Sequence, residues 1–167
     1  MRCLPVEPKN PDEFSIRKFR DRDLPAIYEI EQEIFTPPWP RSAFLYIAKS
    51  GWGTRGEILL LEHKPPDSKP TPVGYTCLMW EAGIGHILNL AIRKPFRGRK
   101  LGERLLIAGI QRLVEKGLSK AVLEVRSSNS IARELYEKHG FTLHHIQKGY
   151  YPDGEDGLVM VKPLDRK

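Results

Sequence analysis

Two stretches of this chain hold side chains whose types and spacing can do chemistry. The first is Arg97-Gly98-Arg99-Lys100-Leu101-Gly102, a basic loop between an apolar run that ends at Ile92 and an amphipathic run that begins at Leu101. The first N–H groups of a helix have no partner inside it, and the helix dipole adds partial positive charge at the same end. Arg97, Arg99 and Lys100 add full charges, so a strand, a basic loop and a helix in this order make a site for phosphate or pyrophosphate. The loop is neither the dinucleotide fingerprint G-x-G-x-x-G nor a P-loop, which ends in Gly-Lys-Ser/Thr. The second stretch is centred on Glu124, a carboxylate in the otherwise apolar run Ala121–Val125. It is either a charge at the solvent edge of a strand or a partly desolvated general base for an ammonium substrate. Tyr136 follows on a helical face shared with Ala132 and His139, which fits simple packing; buried near a leaving group it could donate a proton instead. Asn129 is most simply a helix cap. Trp39 is a plug at a helix junction or one wall of a substrate mouth, and spacing alone favours the plug.

These groups need a frame. His86–Ile92 reads as a central strand, Leu101–Lys116 as a helix with an apolar stripe ending at a Gly117 cap, and Ala121–Val125 as the next strand. A strand–helix–strand unit of this length is a right-handed crossover, so the two strands run parallel. Parallel strands covered on both faces are apolar throughout, which makes Glu124 conspicuous. Before this unit, Phe14–Phe19 alternates like a short strand, Asp21 or Asp23 is placed to cap a helix over Leu24–Ile34, and Thr36-Pro37-Pro38-Trp39-Pro40 stops that helix. A short helix starts at Arg41. Strands at Glu57–Glu62 and Val73–Trp80 form an antiparallel meander with the central strand. After the unit come a helix from about Ile131 to His139, closed by Gly140, and strands at Phe141–Ile146 and Leu158–Val161, with Tyr150-Tyr151-Pro152-Asp153-Gly154 between them.

Length and composition bound the answer. The 167 residues suffice for one domain with a substantial core: a loose arm over 1–12, with three prolines, and a single domain over 13–167. The formal net charge is +6, and six of the twelve residues from Arg93 to Arg104 are Lys or Arg, which favours an acidic ligand or a partner associated with nucleic acid. Cys3 and Cys77 match no metal or redox spacing, so reduced thiols and a cytoplasmic protein are expected. His144 and His145, adjacent in a strand, are expected on opposite faces rather than as a metal pair, and no metal is expected. The N-terminus has no apolar signal run and no stretch is long enough to cross a membrane.

Taken together, Ile92 through Glu103, Leu-Glu-Val-Arg-Ser-Ser-Asn at 123–129 and Leu-Tyr-Glu-Lys-His-Gly-Phe at 135–141 resemble the GNAT acetyltransferase superfamily. The Trp39-Pro40 loop and the Tyr150–Gly154 segment bring the resemblance closest to protein N-terminal acetyltransferases of the RimI and archaeal Ard1 type. It spans nearly the whole chain. It implies an α/β (α+β in some schemes) GNAT fold: one mixed, mostly antiparallel sheet of about seven strands, with a central parallel pair splayed at the acetyl-CoA site and about four helices on both faces. It implies acetyl-CoA as cosubstrate, with Arg97, Gly98, Arg99, Lys100, Leu101, Gly102 and Glu103 at the pyrophosphate, Leu90, Ala91 and Ile92 pairing with the pantetheine arm, and Asn129 touching CoA. It implies Glu124 as general base, Tyr136 as the acid that protonates the departing thiolate, and Trp39, Tyr150 and Tyr151 at the acceptor mouth. The acceptor would be a protein or peptide N-terminus, with a ribosomal protein or nascent chains as targets. Neither membrane nor nucleic acid is required, and the chain would act as a monomer or weak dimer. One position departs from the pattern: Lys100 stands where the family's loop, Gln/Arg-x-x-Gly-x-Gly/Ala, has its middle glycine. A positive φ there would strain a lysine.

Two other readings stay open on sequence. A GNAT enzyme acting on lysine side chains or small amines differs only at the acceptor mouth. A non-catalytic ribosome- or RNA-binding domain could use the basic loop, although that loop has no interleaved aromatic except Phe96, and single-strand binding relies on stacking.

Overall fold

The computed structural model describes residues 13–49 and 55–165. The expected arm over 1–12, and Cys3 within it, lie outside the described residues. Along the chain come β1 (Phe14–Lys18), α1 (Leu24–Ile34), α2 (Arg41–Lys49), β2 (Arg55–His63), β3 (Thr71–Glu81), β4 (Ile84–Ile92), α3 (Leu101–Glu115), β5 (Lys120–Arg126), α4 (Ser130–Lys138), β6 (Thr142–Gln147) and β7 (Gly157–Pro163). The strands form one seven-stranded sheet in the order β1-β2-β3-β4-β5-β7-β6. Every neighbouring pair is antiparallel except β4 and β5, which are parallel and joined through α3 as the crossover requires.

Alternation along the strands makes two cores. Ile58, Leu60, Tyr75, Cys77 and Ala91 point to one face and pack under Ile27 and Ile30 of α1 and Phe44 and Ile47 of α2. Leu59, Leu61, Leu78, Ile87, Leu123 and Val125 point to the other, where Leu101, Leu105, Leu106 and Leu113 of α3 cover them and Leu135 and Tyr136 of α4 pack alongside. Fully burying each such leucine contributes roughly 1.5–3 kcal/mol. Gly85 lets α3 lie close to β4: a Cβ there would sit 2.8 Å from Leu113.

One irregularity opens the sheet. Cys77 pairs with Asn89 and Leu78 with Ile87, so Leu88 is an extra residue, a bulge in β4. A bulge bends its strand and breaks the ladder. Pairing of β4 with β5 runs only from Ile84–Lys120 to Ile87–Leu123, while β5 goes on pairing with β7 to Arg126. The parallel pair therefore splays just after the bulge, and Glu124 is the first β5 residue past the last paired position.

Two local expectations change. Asp23 does not cap α1; its carboxylate accepts from the Arg20 N–H at 2.7 Å and pairs with Arg17 at 2.7 Å. Arg17 also reaches Glu62 at 2.7 Å, and this cluster fastens β1, β2 and the start of α1. The ion pair wins because it satisfies a nearly buried carboxylate more fully than one helix N–H would. His144 and His145 do not face opposite ways: their Nδ1 atoms lie 2.8 Å apart. A second bulge, between Leu143 and His145, interrupts the alternation on which that expectation rested.

Candidate active site

The splay opens into a cleft of about 730 Å³ that brings together side chains far apart in sequence. Trp39 and the proline loop line it, as do Tyr150 and Tyr151, with Leu88–Leu90 of β4 and Glu124–Arg126 of β5 at the splay; Asn129 and Tyr136 also line it. Trp39 is both plug and wall, since its ring also lies 5.9 Å from that of Phe44 in the core. Glu124 is half-buried, and its negative charge helps to raise the hydroxyl pKa of Tyr150 and Tyr151, after burial as the main cause in both. Tyr136 packs edge-on against Phe141, and burial first, then Tyr151, pushes its hydroxyl up to about 12. It is therefore a fully protonated donor at neutral pH. Asn129 caps α4, its Oδ1 accepting from the Ala132 N–H at 3.2 Å.

The β6–β7 connection is fixed rather than loose. The Arg126 guanidinium lies 4.0 Å from the centre of the Tyr151 ring and pairs with Asp153 and Glu155, each at 2.8 Å. Glu155 also accepts from the Ser128 N–H at 2.8 Å and from Ser127 Oγ at 3.2 Å. Those bonds at Ser128, with Arg126, hold the Glu155 carboxyl down at about 2. Arg126 thus aims the tyrosine wall, a role its place beside Glu124 in sequence did not reveal.

The backbone of β4 faces the gap in register. The Arg93 N–H donates to Val73 O at 2.8 Å, on the β3 side. Backbone groups alternate sides along a strand, so Ala91 also faces β3, while Leu90 and Ile92 face the splay. The Ile92 carbonyl, on that open side, accepts from Arg97 Nε at 3.0 Å.

The basic loop lies outside the residues lining the cleft and leads straight into α3. Lys100 adopts φ 57°, ψ 16°, the left-handed conformation that the family's middle glycine adopts freely. Gly98 has φ 74°. The first α3 backbone bond runs from the Arg104 N–H to Lys100 O at 3.0 Å, which leaves the N–H groups of Leu101, Gly102 and Glu103 as the helix's free donors. A Cβ on Gly102 would meet Ile92 and Leu90 only at 3.8 Å, in keeping with the family's Gly/Ala there. The Glu103 side chain turns to α4, taking Lys138 at 2.6 Å and His139 at 2.8 Å, and these bonds hold its carboxyl below the usual range. Only its backbone N–H is left for an anion. Not every cation of the stretch is free for that anion: Arg93 pairs with Glu29 at 2.9 Å and Glu33 at 3.3 Å on α1. The Arg99 guanidinium rests 5.0 Å over the Phe14 ring, a contact that leaves its charge unpaired by any carboxylate among the ion pairs of the described residues. The donor set, free helix amides beside Arg97, Arg99 and Lys100, suits a pyrophosphate.

Sequence reasoning missed a buried polar cluster under the proline loop. Glu31 is 0% exposed. Its Oε1 accepts from the Trp39 N–H at 2.8 Å; its Oε2 accepts from the Tyr75 hydroxyl and, at 3.2 Å, from Asn89 Nδ2. The available signal was a glutamate inside the apolar stripe of α1 and an asparagine inside an apolar strand. Among the described residues, no group of three or more His, Cys, Asp or Glu side chains is placed to hold a metal, and no helix is long and apolar enough to cross a membrane.

Known proteins resemble this chain in sequence and in fold. Residues 24–141 match the acetyltransferase (GNAT) family. The [ribosomal protein bS18]-alanine N-acetyltransferase of Salmonella typhimurium is 32% identical over 145 residues, covering 85% of this chain and 92% of the relative. The crystal structure of the ribosomal-protein-S18-alanine N-acetyltransferase from Escherichia coli superposes with TM-score 0.76 at 29% identity, over 92% of this chain and 96% of that one. Ard1 from Thermoplasma volcanium shares the fold, with TM-score 0.80 at 22% identity over 92% and 99% of the two chains. The loop, the splayed pair and the sequence match agree: this chain belongs to the GNAT acetyltransferase family.

Proposed function

We propose that the protein is an acetyl-CoA-dependent N-terminal α-amine acetyltransferase, acting on a ribosomal protein or on nascent chains in the cytoplasm as a monomer or weak dimer. The observation that carries this reading is Glu124, placed at the splay of β4 and β5 in a cleft lined by Trp39 and by Tyr150 and Tyr151. A relative that acetylates the alanine terminus of a ribosomal protein supports the choice of acceptor.

The chain's residues divide the work. The α3 N-terminus, with Arg97, Arg99 and Lys100, holds the pyrophosphate, and the Leu90 and Ile92 backbone pairs with the pantetheine arm. Asn129, at the α4 start, lies beside the same arm. An N-terminal ammonium entering past Trp39 gives its proton to Glu124, because only the neutral amine is nucleophilic. The amine nitrogen then bonds to the thioester carbonyl carbon, and a β4 N–H facing the splay stabilises the oxyanion. Collapse breaks the C–S bond. Tyr136 donates to the leaving thiolate, solvent restores the phenol, the product nitrogen loses its remaining extra proton to water, and Glu124 releases the first proton to solvent. No covalent enzyme intermediate forms, so Cys77, buried with its thiol pushed well up by desolvation, has no part in the chemistry.

The test is mass mapping after incubation with acetyl-CoA and peptides beginning Ala, Ser, Met-Leu or Met-Glu, each with one internal lysine. Acetyl on the α-amine is the expected result, and the preferred first residue separates a narrow enzyme from a broad one. Acetyl on lysine alone would overturn the choice of acceptor.

A further inference from the structure

The buried cluster around Glu31 has no part in the chemistry above, yet it joins the Trp39 wall of the cleft to β4. A carboxylate fully buried among neutral partners is costly to the fold, and an apolar side chain would suit the α1 stripe better. Its geometry shows what the cost secures. Of the five residues from Thr36 to Pro40, three are prolines, so only Thr36 and Trp39 have a backbone N–H to donate. The Trp39 N–H donates to Glu31 Oε1 at 2.8 Å. The second oxygen is held by Tyr75 on β3 and by Asn89, the residue between the β4 bulge and Leu90. Tyr75 and Asn89 are bonded to each other as well, at 3.1 Å. One carboxylate thus sets where the Trp39 wall stands relative to the strand whose Leu90 backbone faces the splay.

We propose that Glu31 is a positioning residue for the acceptor: it fixes the width of the mouth between Trp39 and the bulged strand β4, and so determines how well an acceptor N-terminus is seated. This rests on the N-terminal acetyltransferase reading. Glu31 acts through Trp39 and Asn89, not on the reacting atoms. Removing it loosens the acceptor wall and leaves the α3 N-terminus and its basic loop, on the far face of the sheet, as they were. In Glu31→Gln the new NH₂ group meets two donors, Tyr75 and Asn89, so at least one of the three bonds must turn or break.

The experiment is steady-state kinetics of wild type, Glu31→Gln, Trp39→Ala and the double variant, on the preferred peptide, with mass mapping of the acetylated atom in each. In Glu31→Gln the peptide KM should rise about tenfold, the size of one lost charge-assisted hydrogen bond, with the KM for acetyl-CoA unmoved. The double variant should match Trp39→Ala, because the two act through one loop. A merely structural role would lower the fraction of folded enzyme without this split and without the coupling. A peptide KM in Glu31→Gln equal to that of wild type, or effects that multiply in the double variant, overturns the proposal while the function stands. α-Amine transfer absent from wild type overturns the function and the proposal with it. If Glu31→Gln does not fold, Tyr75→Phe decides: it leaves Oε2 only the 3.2 Å bond from Asn89, and an unchanged peptide KM overturns the proposal.

Discussion

Lys100 holds two roles that substitution can separate. Its φ of 57° costs a side-chain-bearing residue roughly 1–2 kcal/mol. Glycine relieves that strain and gives back about 0.5–1 kcal/mol in unfolded-chain entropy. The net for Lys100→Gly is a gain of roughly 0.5–1 kcal/mol, or about 2 °C in Tm for a chain of this size. Lys100→Ala keeps the strain and gains nothing. The second role is charge. An exposed ammonium near a phosphate is worth roughly 0.5–1 kcal/mol in water, so both variants should bind acetyl-CoA about two- to fivefold more weakly at low salt. The deficit should shrink as salt rises, because the Debye length falls to about 3 Å at 1 M. Thermal unfolding of the ligand-free protein and calorimetric titration with acetyl-CoA at two salt concentrations read the two effects separately. Glycine should therefore make the protein more stable and the complex weaker. A Lys100→Gly protein no more stable than Lys100→Ala would refute the strain argument, and wild-type affinity in both variants would refute the placement of the pyrophosphate.

Three other outcomes follow from the geometry. Glu124→Gln and Tyr136→Phe should each lower kcat by roughly 10²–10⁴-fold while acetyl-CoA affinity holds; with the Tyr136 hydroxyl at about 12, Tyr136→Phe should lower the whole pH–rate profile between pH 6 and 9 without moving its limbs. Glu155, at about 2 when folded against 4.5 as its ordinary value, stabilises the fold above the ordinary value and loses that contribution as pH falls toward the folded one. In Glu155→Gln, Tm should be lower at pH 6 and fall less between pH 4.5 and 2.5 than in wild type, as a pH series of thermal unfolding will read. Cys77→Ala should keep kcat within about threefold, since no thioester forms on the enzyme; a collapse of turnover in a folded variant would point to a covalent route.

What could be read from the sequence follows the range of the interactions that make it. The β4–α3–β5 unit was legible because each part is local: an apolar run, a 3.6-residue stripe, a glycine at the helix end. The basic loop was legible for the same reason, although whether Lys100 would take the positive φ it adopts was open on sequence. Glu124 stood out as a charge in a strand apolar by necessity, but the sequence left it between the strand's solvent edge and the mouth, and the folded sheet sets it at the splay. The bulge at Leu88, which creates that mouth, leaves no mark in the alternation of a strand apolar on both faces. A second bulge defeated the alternation argument for His144 and His145 in the same way. Glu31 was visible only as a charge in the apolar stripe of α1; its role was not, because its partners Tyr75 and Asn89 lie 44 and 58 residues away, and no local pattern reports a tertiary hydrogen bond. Arg126 reads as one more strand residue until the β6–β7 loop folds back with Tyr151 and Glu155 against it. The chemistry could be read because it sits at strand ends and helix starts. What orients that chemistry toward one acceptor lies in contacts between elements, and the Trp39 and Tyr151 walls are each held by one buried or half-buried charged side chain that only the folded chain brings into place.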